Sequence, residues 1–367
     1  MEWTRGRRIL GRGSTATVYA ATCHNSKETL AVKSSELHRS EFLQREAKIL
    51  SSLDSPYVIG YRGTEAKKES NGVVTYNLLM EYAPYGTLTD AAAKNGGRLE
   101  EGMIVKYTRE ILLGLEYVHS RGVAHCDVKG SNVVVGEKGE AKIVDFGCAK
   151  RVDPEVDSGA VMGTPAFMAP EVARGEEQGR ESDIWAVGCT VIEMATGSPP
   201  WTETGESPVS VLYRVGYSGE SPELPCLLTE EAKDFLEKCL KREVKERWTA
   251  TQLLNHPFLM TKPNIEPVSG LVTSSPTSVT DQTFWRSVDE EVEEEETEEL
   301  QEDWRNLDRL NLLDCYSERI GRLRCVGGLD GSILDMEGGG WITVRVSCEG
   351  TMIGGSHEEN ILEGFVN

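Results

Sequence analysis

The sequence lacks any apolar run near the roughly 20 residues that a membrane-spanning helix needs, and it has no apolar leader. It has nine cysteines, but no Cys-x-x-Cys pair and no Cys/His cluster at zinc spacing. An odd number of scattered cysteines without a leader favours reduced thiols. The start Met1-Glu2 does not fit N-myristoylation, and the C-terminus lacks a prenylation box. We therefore expect a cytoplasmic or nuclear protein with no membrane attachment.

Lysine and arginine are scarce. There are 39 of them against 60 Asp and Glu, for a net charge of −21. Most of the acidic excess lies in residues 260–367, where 23 acids and 8 bases give −15. Because nucleic-acid binding needs a basic surface to meet phosphates, we expect no nucleic-acid partner.

Residues 260–367 predict an acidic regulatory tail that is largely disordered. Ser, Thr and Pro dominate up to about residue 280, and nine of the eleven residues 289–299 are acidic. Such a run is usually solvated and unfolded, or else the charged face of a helix. Apolar residues at 300, 304, 307, 310 and 313 predict one short amphipathic helix, and residues 341–348 predict a strand.

Asp127 lies in the most informative stretch, His-Cys-Asp-Val-Lys-Gly-Ser-Asn at 125–132. Two short apolar strands with a turn between them follow, and then Asp-Phe-Gly at 145–147. A hairpin of this kind would hold an acceptor for a hydroxyl proton, Asp127, near two oxygen ligands for Mg²⁺, Asn132 and Asp145. An ordinary hairpin with Asx turns is the alternative, but it does not explain the spacing.

A glycine-rich turn between two strands occupies residues 10–18, and Ala16 stands where the third glycine of G-x-G-x-x-G belongs. The following strand ends in Ala-Val-Lys at 31–33, which is the pattern of a kinase strand and not of a Rossmann helix. Gly11 and Gly13 would let backbone amides approach phosphate oxygens closely.

Residues 40–53 predict a helix whose apolar stripe contains Glu46. We assign five apolar residues to that stripe: Phe42, Leu43, Ile49, Leu50 and Leu53. A buried charge costs several kcal/mol unless it has a partner. Either Glu46 reaches water at the boundary or it pairs with Lys33, and we favour the pair.

Together these motifs resemble the protein kinases over roughly residues 3–259. The resemblance implies an α+β, two-lobed fold with a small β-rich N-lobe and a mainly helical C-lobe. The N-lobe would span about 3–81, the hinge about 81–86 and the C-lobe about 87–259.

The resemblance also implies a site for ATP and Mg²⁺. Lys33 would meet the α- and β-phosphates, and Glu46 would set its position. Asp127 would be the catalytic acceptor, and Lys129 would contact the transferred phosphate and Thr164. Asn132 and Asp145 would hold the metal. Nucleotide contacts would come from the glycine turn, the Lys33 strand and the hinge: Leu10, Gly11, Arg12, Gly13, Ser14, Val18, Ala31, the gatekeeper Met80, Glu81 and Ala83.

Two further residues have roles implied by the same resemblance. Asp183 begins a long apolar helix, and it is either a helix cap or the acceptor that braces the catalytic loop. Arg247 would pair with Glu171 of the Ala-Pro-Glu sequence that closes the activation segment.

The sequence resembles the serine/threonine class, specifically MAP kinase kinase kinases of the MEKK type. Asp-x-Lys-Gly-Ser-Asn at 127–132 and Gly-Thr-Pro-Ala-Phe-Met-Ala-Pro-Glu at 163–171 carry this resemblance. Residues 11–18, 81–88 and 275–282 are similar to compact plant members associated with abscisic-acid and stress signalling. The implied substrates are activation-loop Ser/Thr of MAP kinase kinases.

One departure concerns regulation. Kinases gated by loop phosphorylation usually have Arg before the catalytic Asp, and here that position is Cys126. Asp153, Glu155 and Asp157 surround Ser158, so a phosphate there would meet three acids. We expect activity without loop phosphate, unless Lys150 and Arg151 receive it. Ser275-Pro276 offers a downstream MAP kinase a feedback site in the tail.

The alternative function is a catalytically weak nucleotide-binding scaffold that recruits partners through its acidic tail. Ala16 and Cys126 support it. A scaffold of this kind predicts loss of Lys33, Asp127, Asn132 or Asp145, and all four are present, which favours an active kinase.

Overall fold

The computed structural model describes residues 2–13, 16–152, 161–201 and 207–260, and the backbone of two strands at 332–337 and 341–346. Ser14, the acids around Ser158, Ser275 and the helix predicted at 300–313 lie outside the described residues. Within residues 2–260 a β-rich N-lobe precedes a mainly helical C-lobe, as the sequence predicts.

Five antiparallel strands form the N-lobe sheet in the order β1-β2-β3-β5-β4. The strands are β1 Trp3–Arg12, β2 Thr17–Cys23, β3 Thr29–Glu36, β4 Tyr61–Lys68 and β5 Val74–Glu81. Val18 pairs with Lys33, and Ala31 pairs with Met80. The register therefore brings residues of the glycine turn, the lysine strand and the end of β5 to one part of the sheet.

One helix, α1 Glu41–Leu50, packs against this sheet. Its buried residues Leu43, Glu46, Ala47 and Leu50 follow the helical period. Phe42 is 39% exposed, so its assignment to the apolar stripe was wrong. The buried face of α1 is therefore narrower than the predicted stripe, and Glu46 and Ala47 belong to it.

The C-lobe is built around α5 Arg180–Thr196, which is buried along almost its whole length. Trp185 is fully buried, and α3 Glu101–Ser120 contributes six buried apolar residues, at 104, 107, 111, 112, 115 and 118. The other helices are α2 Leu88–Lys94, α4 Pro170–Ala173, α6 Pro208–Tyr217, α7 Glu230–Cys239, α8 Ala250–Leu254 and α9 Pro257–Met260. In the part of the chain that the structure describes, no helix combines the length and the apolar character of a membrane span.

Four short strands frame the predicted catalytic loop, residues 125–132. β6 Val123–Ala124 pairs with β9 Lys150–Arg151, and β7 Val133–Val135 pairs with β8 Ala141–Ile143. The β7–β8 turn closes through Gly136 N–H donating to the Glu140 carbonyl at 2.8 Å. Asp127 therefore precedes a hydrogen-bonded hairpin and Asp145 follows it, as predicted.

The segment 57–60, after α1, is joined to the C-lobe at β8. Ile143 N–H donates to the Tyr57 carbonyl at 2.9 Å, and Ile59 N–H donates to the Ile143 carbonyl at 3.0 Å. Gly60 N–H donates to the Glu81 carboxylate at 3.1 Å.

Near the C-terminus, β10 Ser332–Glu337 and β11 Trp341–Val346 form a two-stranded sheet. The strand predicted at 341–348 is present over 341–346, and residues 347 and 348 lie outside the described residues.

Candidate active site

The backbone of the catalytic loop is held by Asp183, in the first turn of α5. Asp183 is 1% exposed. Its carboxylate accepts hydrogen bonds from the N–H groups of His125 and Cys126, both at 2.8 Å. A third contact, from His119 Nε2, is also 2.8 Å. Cys126 has a φ of +65°, which is uncommon for a residue with a side chain. Asp183 therefore braces the loop and fixes the turn that presents Asp127.

Asp127, Lys129 and Thr164 form one compact cluster. The Thr164 hydroxyl donates to Asp127 Oδ1 at 2.8 Å and accepts from Lys129 Nζ at 2.6 Å. Lys129 Nζ lies 3.1 Å from Asp127 Oδ2. Burial raises the pKa of Asp127, although Lys129 and Thr164 favour its ionised form. A carboxylate with a neighbouring cation can accept a hydroxyl proton while the cation faces a phosphate.

Asn132 and Asp145 lie on either side of the β7–β8 hairpin, and each carries a side-chain oxygen that could bind a metal ion. Asn132 uses its amide nitrogen, not its oxygen, to contact Asp127, with Nδ2 2.5 Å from Oδ2. Asp145 has a φ of +64° and accepts from Gly147 N–H at 3.4 Å. No group of three or more His, Cys, Asp or Glu among the described residues could hold a metal by itself. Two protein oxygens suit Mg²⁺, because this ion is usually bound by one or two carboxylates together with substrate phosphates.

Lys33 of β3 joins Glu46 of α1 to Asp145 of the C-lobe. Its Nζ lies 2.7 Å from Glu46 Oε2 and 2.8 Å from Asp145 Oδ1. Burial opposes the charged form of Lys33, but the two carboxylates outweigh it and raise the pKa of the ammonium. Burial, helped by the charge of Asp145, raises the pKa of Glu46 to about 7 against the attraction of Lys33. Lys33 is therefore a firmly charged group that joins the two lobes.

The proposed nucleotide contacts lie along β1, β2, β3 and β5. Ala31 and Met80 are buried opposite each other, and Leu10 and Val18 are half-buried against the core. A Cβ added at Gly11 would meet nothing within 4 Å, so there is open space beside its backbone. Gly13 N–H donates to the Ala16 carbonyl at 2.9 Å and closes the turn. Its predicted phosphate contact stays a prediction, as do the nucleotide contacts predicted for exposed Arg12 and for Ser14.

The start of the predicted hinge, at Glu81, is tied to the C-lobe by a side chain that sequence reasoning missed. Lys142 of β8 lies 2.8 Å from Glu81, whose carboxylate also accepts from Gly60 N–H. Ala83 is half-buried two residues further on. The only sequence signal was a lysine in an otherwise apolar strand, where a charge needs a partner.

The activation segment closes tightly over the catalytic loop at Gly163. This glycine has a φ of +128°, and a Cβ there would lie 2.6 Å from the Cys126 carbonyl oxygen. The next residue is Thr164. The first residue of the Gly-Thr-Pro sequence must therefore be glycine, because the Cys126 carbonyl lies too close for a side chain.

Two further polar side chains near the site were missed from sequence. Glu193 of α5 accepts from Gly130 N–H at 2.8 Å and from the Thr89 hydroxyl at 3.2 Å. Gln178 contacts both Met162 and Cys126. Apart from the Thr89 hydroxyl, their partners are backbone groups distant in sequence, so nothing in the local pattern indicated them.

Arg247 and Glu171 form the buried ion pair that the sequence predicts. Their two parallel contacts measure 2.7 and 3.0 Å, and Arg247 is 5% exposed as a residue. Arg247 also donates to the carbonyls of Glu181 and Lys241. This pair attaches the end of the activation segment to the C-lobe core.

The chain is similar to known proteins along nearly its whole length. The family described as "Protein kinase domain" matches residues 5–259. The chain is 79% identical to mitogen-activated protein kinase kinase kinase 17 of Arabidopsis thaliana, over 99% of this chain and 98% of that protein. It is 67% identical to mitogen-activated protein kinase kinase kinase 18 of the same plant, over 94% of this chain and 99% of that protein.

Proposed function

The chain belongs to the protein kinase family, and from this premise we propose that it acts as a MAP kinase kinase kinase. It transfers the γ-phosphate of ATP to activation-loop Ser or Thr of MAP kinase kinases. The expectation of a serine/threonine protein kinase is confirmed by the family match and by the two relatives. The identity of the protein substrate rests on the names of those relatives.

The cluster of Asp127, Lys129 and Thr164 is the observation that carries the proposal. Asp127 accepts the proton of the attacking hydroxyl, and Lys129, 2.6 Å from the Thr164 hydroxyl, faces the phosphate being transferred. The Thr164 hydroxyl holds both side chains in position. Such catalysis depends on positioning and charge neutralisation more than on covalent chemistry, so a fixed cluster is what the reaction needs.

Lys33, Glu46 and Asp145 support nucleotide binding. Lys33 would hold phosphate oxygens at the place where it now contacts Asp145, and Glu46 keeps it there. Mg²⁺ held by Asp145 and Asn132 would neutralise charge on the phosphates. Replacing Asp145 by Asn should weaken Mg²⁺-dependent ATP binding, measured by titration at several Mg²⁺ concentrations. Equal affinity in both proteins would contradict this role.

The direct test is phosphate transfer to a purified MAP kinase kinase that has been made inactive. The full-length chain should label its activation-loop Ser or Thr, located by mass spectrometry, and a substrate with those residues changed to Ala should stay unlabelled. Asp127→Asn and Lys33→Met should nearly abolish labelling while keeping the thermal melting temperature. Near-normal labelling by the Asp127 variant would favour the scaffold alternative.

We also propose a setting for this activity. The resemblance to compact plant members supports a role in stress and abscisic-acid signalling, in the cytoplasm, the nucleus or both. Ser275-Pro276 would be phosphorylated by a downstream MAP kinase as feedback. Truncation after residue 260 should leave the core reaction intact and remove that control. A truncated chain with no transfer activity would contradict this division of roles.

A further inference from the structure

Gln178 is a buried amide that touches two functional segments at once. Its Nε2 donates to the Met162 carbonyl at 2.7 Å and to the Cys126 carbonyl at 3.3 Å. Its Oε1 accepts from Met162 N–H at 3.3 Å. The residue is 4% exposed. Both amide hydrogens and the oxygen of one side chain are therefore used to join the activation segment to the catalytic loop.

The position of Met162 matters because Thr164 follows two residues later. Gly163, between them, passes so close to the Cys126 carbonyl that a Cβ would be 2.6 Å from its oxygen. Thr164 then reaches Asp127 at 2.8 Å. A shift of Met162 away from the catalytic loop would move the hydroxyl that holds Asp127 and Lys129 together.

Cys126 depends on the same side chain. Its left-handed backbone is costly for a residue with a Cβ, and such conformations persist only when their surroundings determine them. Asp183 accepts its N–H at 2.8 Å, and Gln178 donates to its carbonyl. Both peptide groups next to Cys126 are thus held by buried side chains, one residue before Asp127.

We propose that Gln178 is the positioning residue that fixes the activation segment on the catalytic loop through neutral hydrogen bonds. Cys126 supplies no cation at this point, and the contact made by Gln178 needs no phosphate. The inference rests on the kinase activity of the chain, but the contact itself can be measured without substrate. It also explains how Thr164 is held when the loop carries no phosphate.

The sharpest test is Gln178→Glu, which keeps the shape of the side chain. An ionised carboxylate cannot donate to either carbonyl, whereas the protonated acid can donate to one of them. Turnover relative to the wild type should be about tenfold lower at pH 8, as expected for a lost hydrogen bond, and should rise as the pH falls toward 6. A ratio near one that is constant over this range would overturn the proposal.

A second variant separates positioning from general stability. Gln178→Leu should lower kcat about tenfold or more, with the KM for ATP nearly unchanged because the Lys33 contacts stay intact. Gln252→Leu is the matched control. Its amide oxygen caps α8 by accepting from Thr249 N–H at 2.8 Å, on the surface, so the change should lower stability without changing kcat. Equal kcat losses in both variants would contradict a positioning role.

Hydrogen exchange gives a readout that does not depend on activity. The Met162 amide should exchange faster in Gln178→Leu, which lacks the acceptor oxygen, than in the wild type and in the Gln252 control. Enzyme made in bacteria and treated with phosphatase should keep this protection and most of its turnover. Loss of both on dephosphorylation would show that a phosphate, and not Gln178, holds the segment.

Discussion

Thr164→Val is the change that most directly probes the catalytic cluster. Valine keeps the branched shape and removes the hydroxyl that donates to Asp127 at 2.8 Å and accepts from Lys129 at 2.6 Å. A hydrogen bond to a charged group contributes about 1.5–3 kcal/mol. If this contribution is present in the transition state, kcat should fall roughly 10- to 150-fold.

The pH dependence of kcat provides an independent test. Burial raises the pKa of Asp127, and the bond from Thr164 opposes that rise by favouring the carboxylate. Without the hydroxyl the pKa should rise further. Since Asp127 must be ionised to accept a proton, the acidic limb of the kcat profile should move to higher pH in Thr164→Val.

Thr164→Ser is the matched control, because it keeps the hydroxyl and loses only a methyl group. Both variants should be assayed with the MAP kinase kinase substrate at saturating ATP from pH 6 to 9. The reasoning is refuted if Thr164→Val stays within threefold of Thr164→Ser, or if its acidic limb does not move.

Three further predictions follow from buried polar contacts. Because the pKa of Glu46 is raised to about 7, the wild-type protein loses stability as the pH rises from about 4.5 to 7. Glutamine does not titrate, so the free energy of unfolding of Glu46→Gln, measured in denaturant titrations, should increase relative to the wild type across that window. Glu171→Ala leaves Arg247 buried without its partner, which typically costs about 3–5 kcal/mol, so the melting temperature should fall by roughly 6–20 °C, and less than additively with Arg247→Leu. Gly130→Ala would place a Cβ 2.7 Å from Glu193 Oε2; steady-state kinetics should show a lower kcat with little change in the KM for ATP.

Much of the fold was predictable because single residue types mark it clearly. The glycine turn between β1 and β2 and the hairpin between Asp127 and Asp145 are marked by turn residues between apolar runs, and they appear where predicted. Phe42 was assigned wrongly because a period locates the centre of a stripe better than its edges. The outermost residue of a helix face is decided by the neighbouring elements, which a single sequence does not show.

The candidate site divides in the same way. Asp127, Asn132 and Asp145 could be named because their own spacing marks them. Gln178 and Glu193 could not, since each acts on backbone N–H or C=O groups that every residue possesses. A partner of that kind leaves no trace in the pattern, and only the folded chain brings it into contact.

The attachment of segment 57–60 to β8 has a mechanical consequence. A lobe tied at this segment and again at the predicted hinge, 81–86, would rotate most freely about the line joining the two ties. Such rotation leaves distances within the N-lobe unchanged and alters those that cross between lobes. Opening the cleft would therefore stretch Lys33 from Asp145 while Lys33 and Glu46 travel together. The distance between Lys33 and Asp145, 2.8 Å here, would therefore increase as the lobes open. The 2.7 Å distance between Lys33 and Glu46 would stay constant, so the two distances together report how far the lobes are closed.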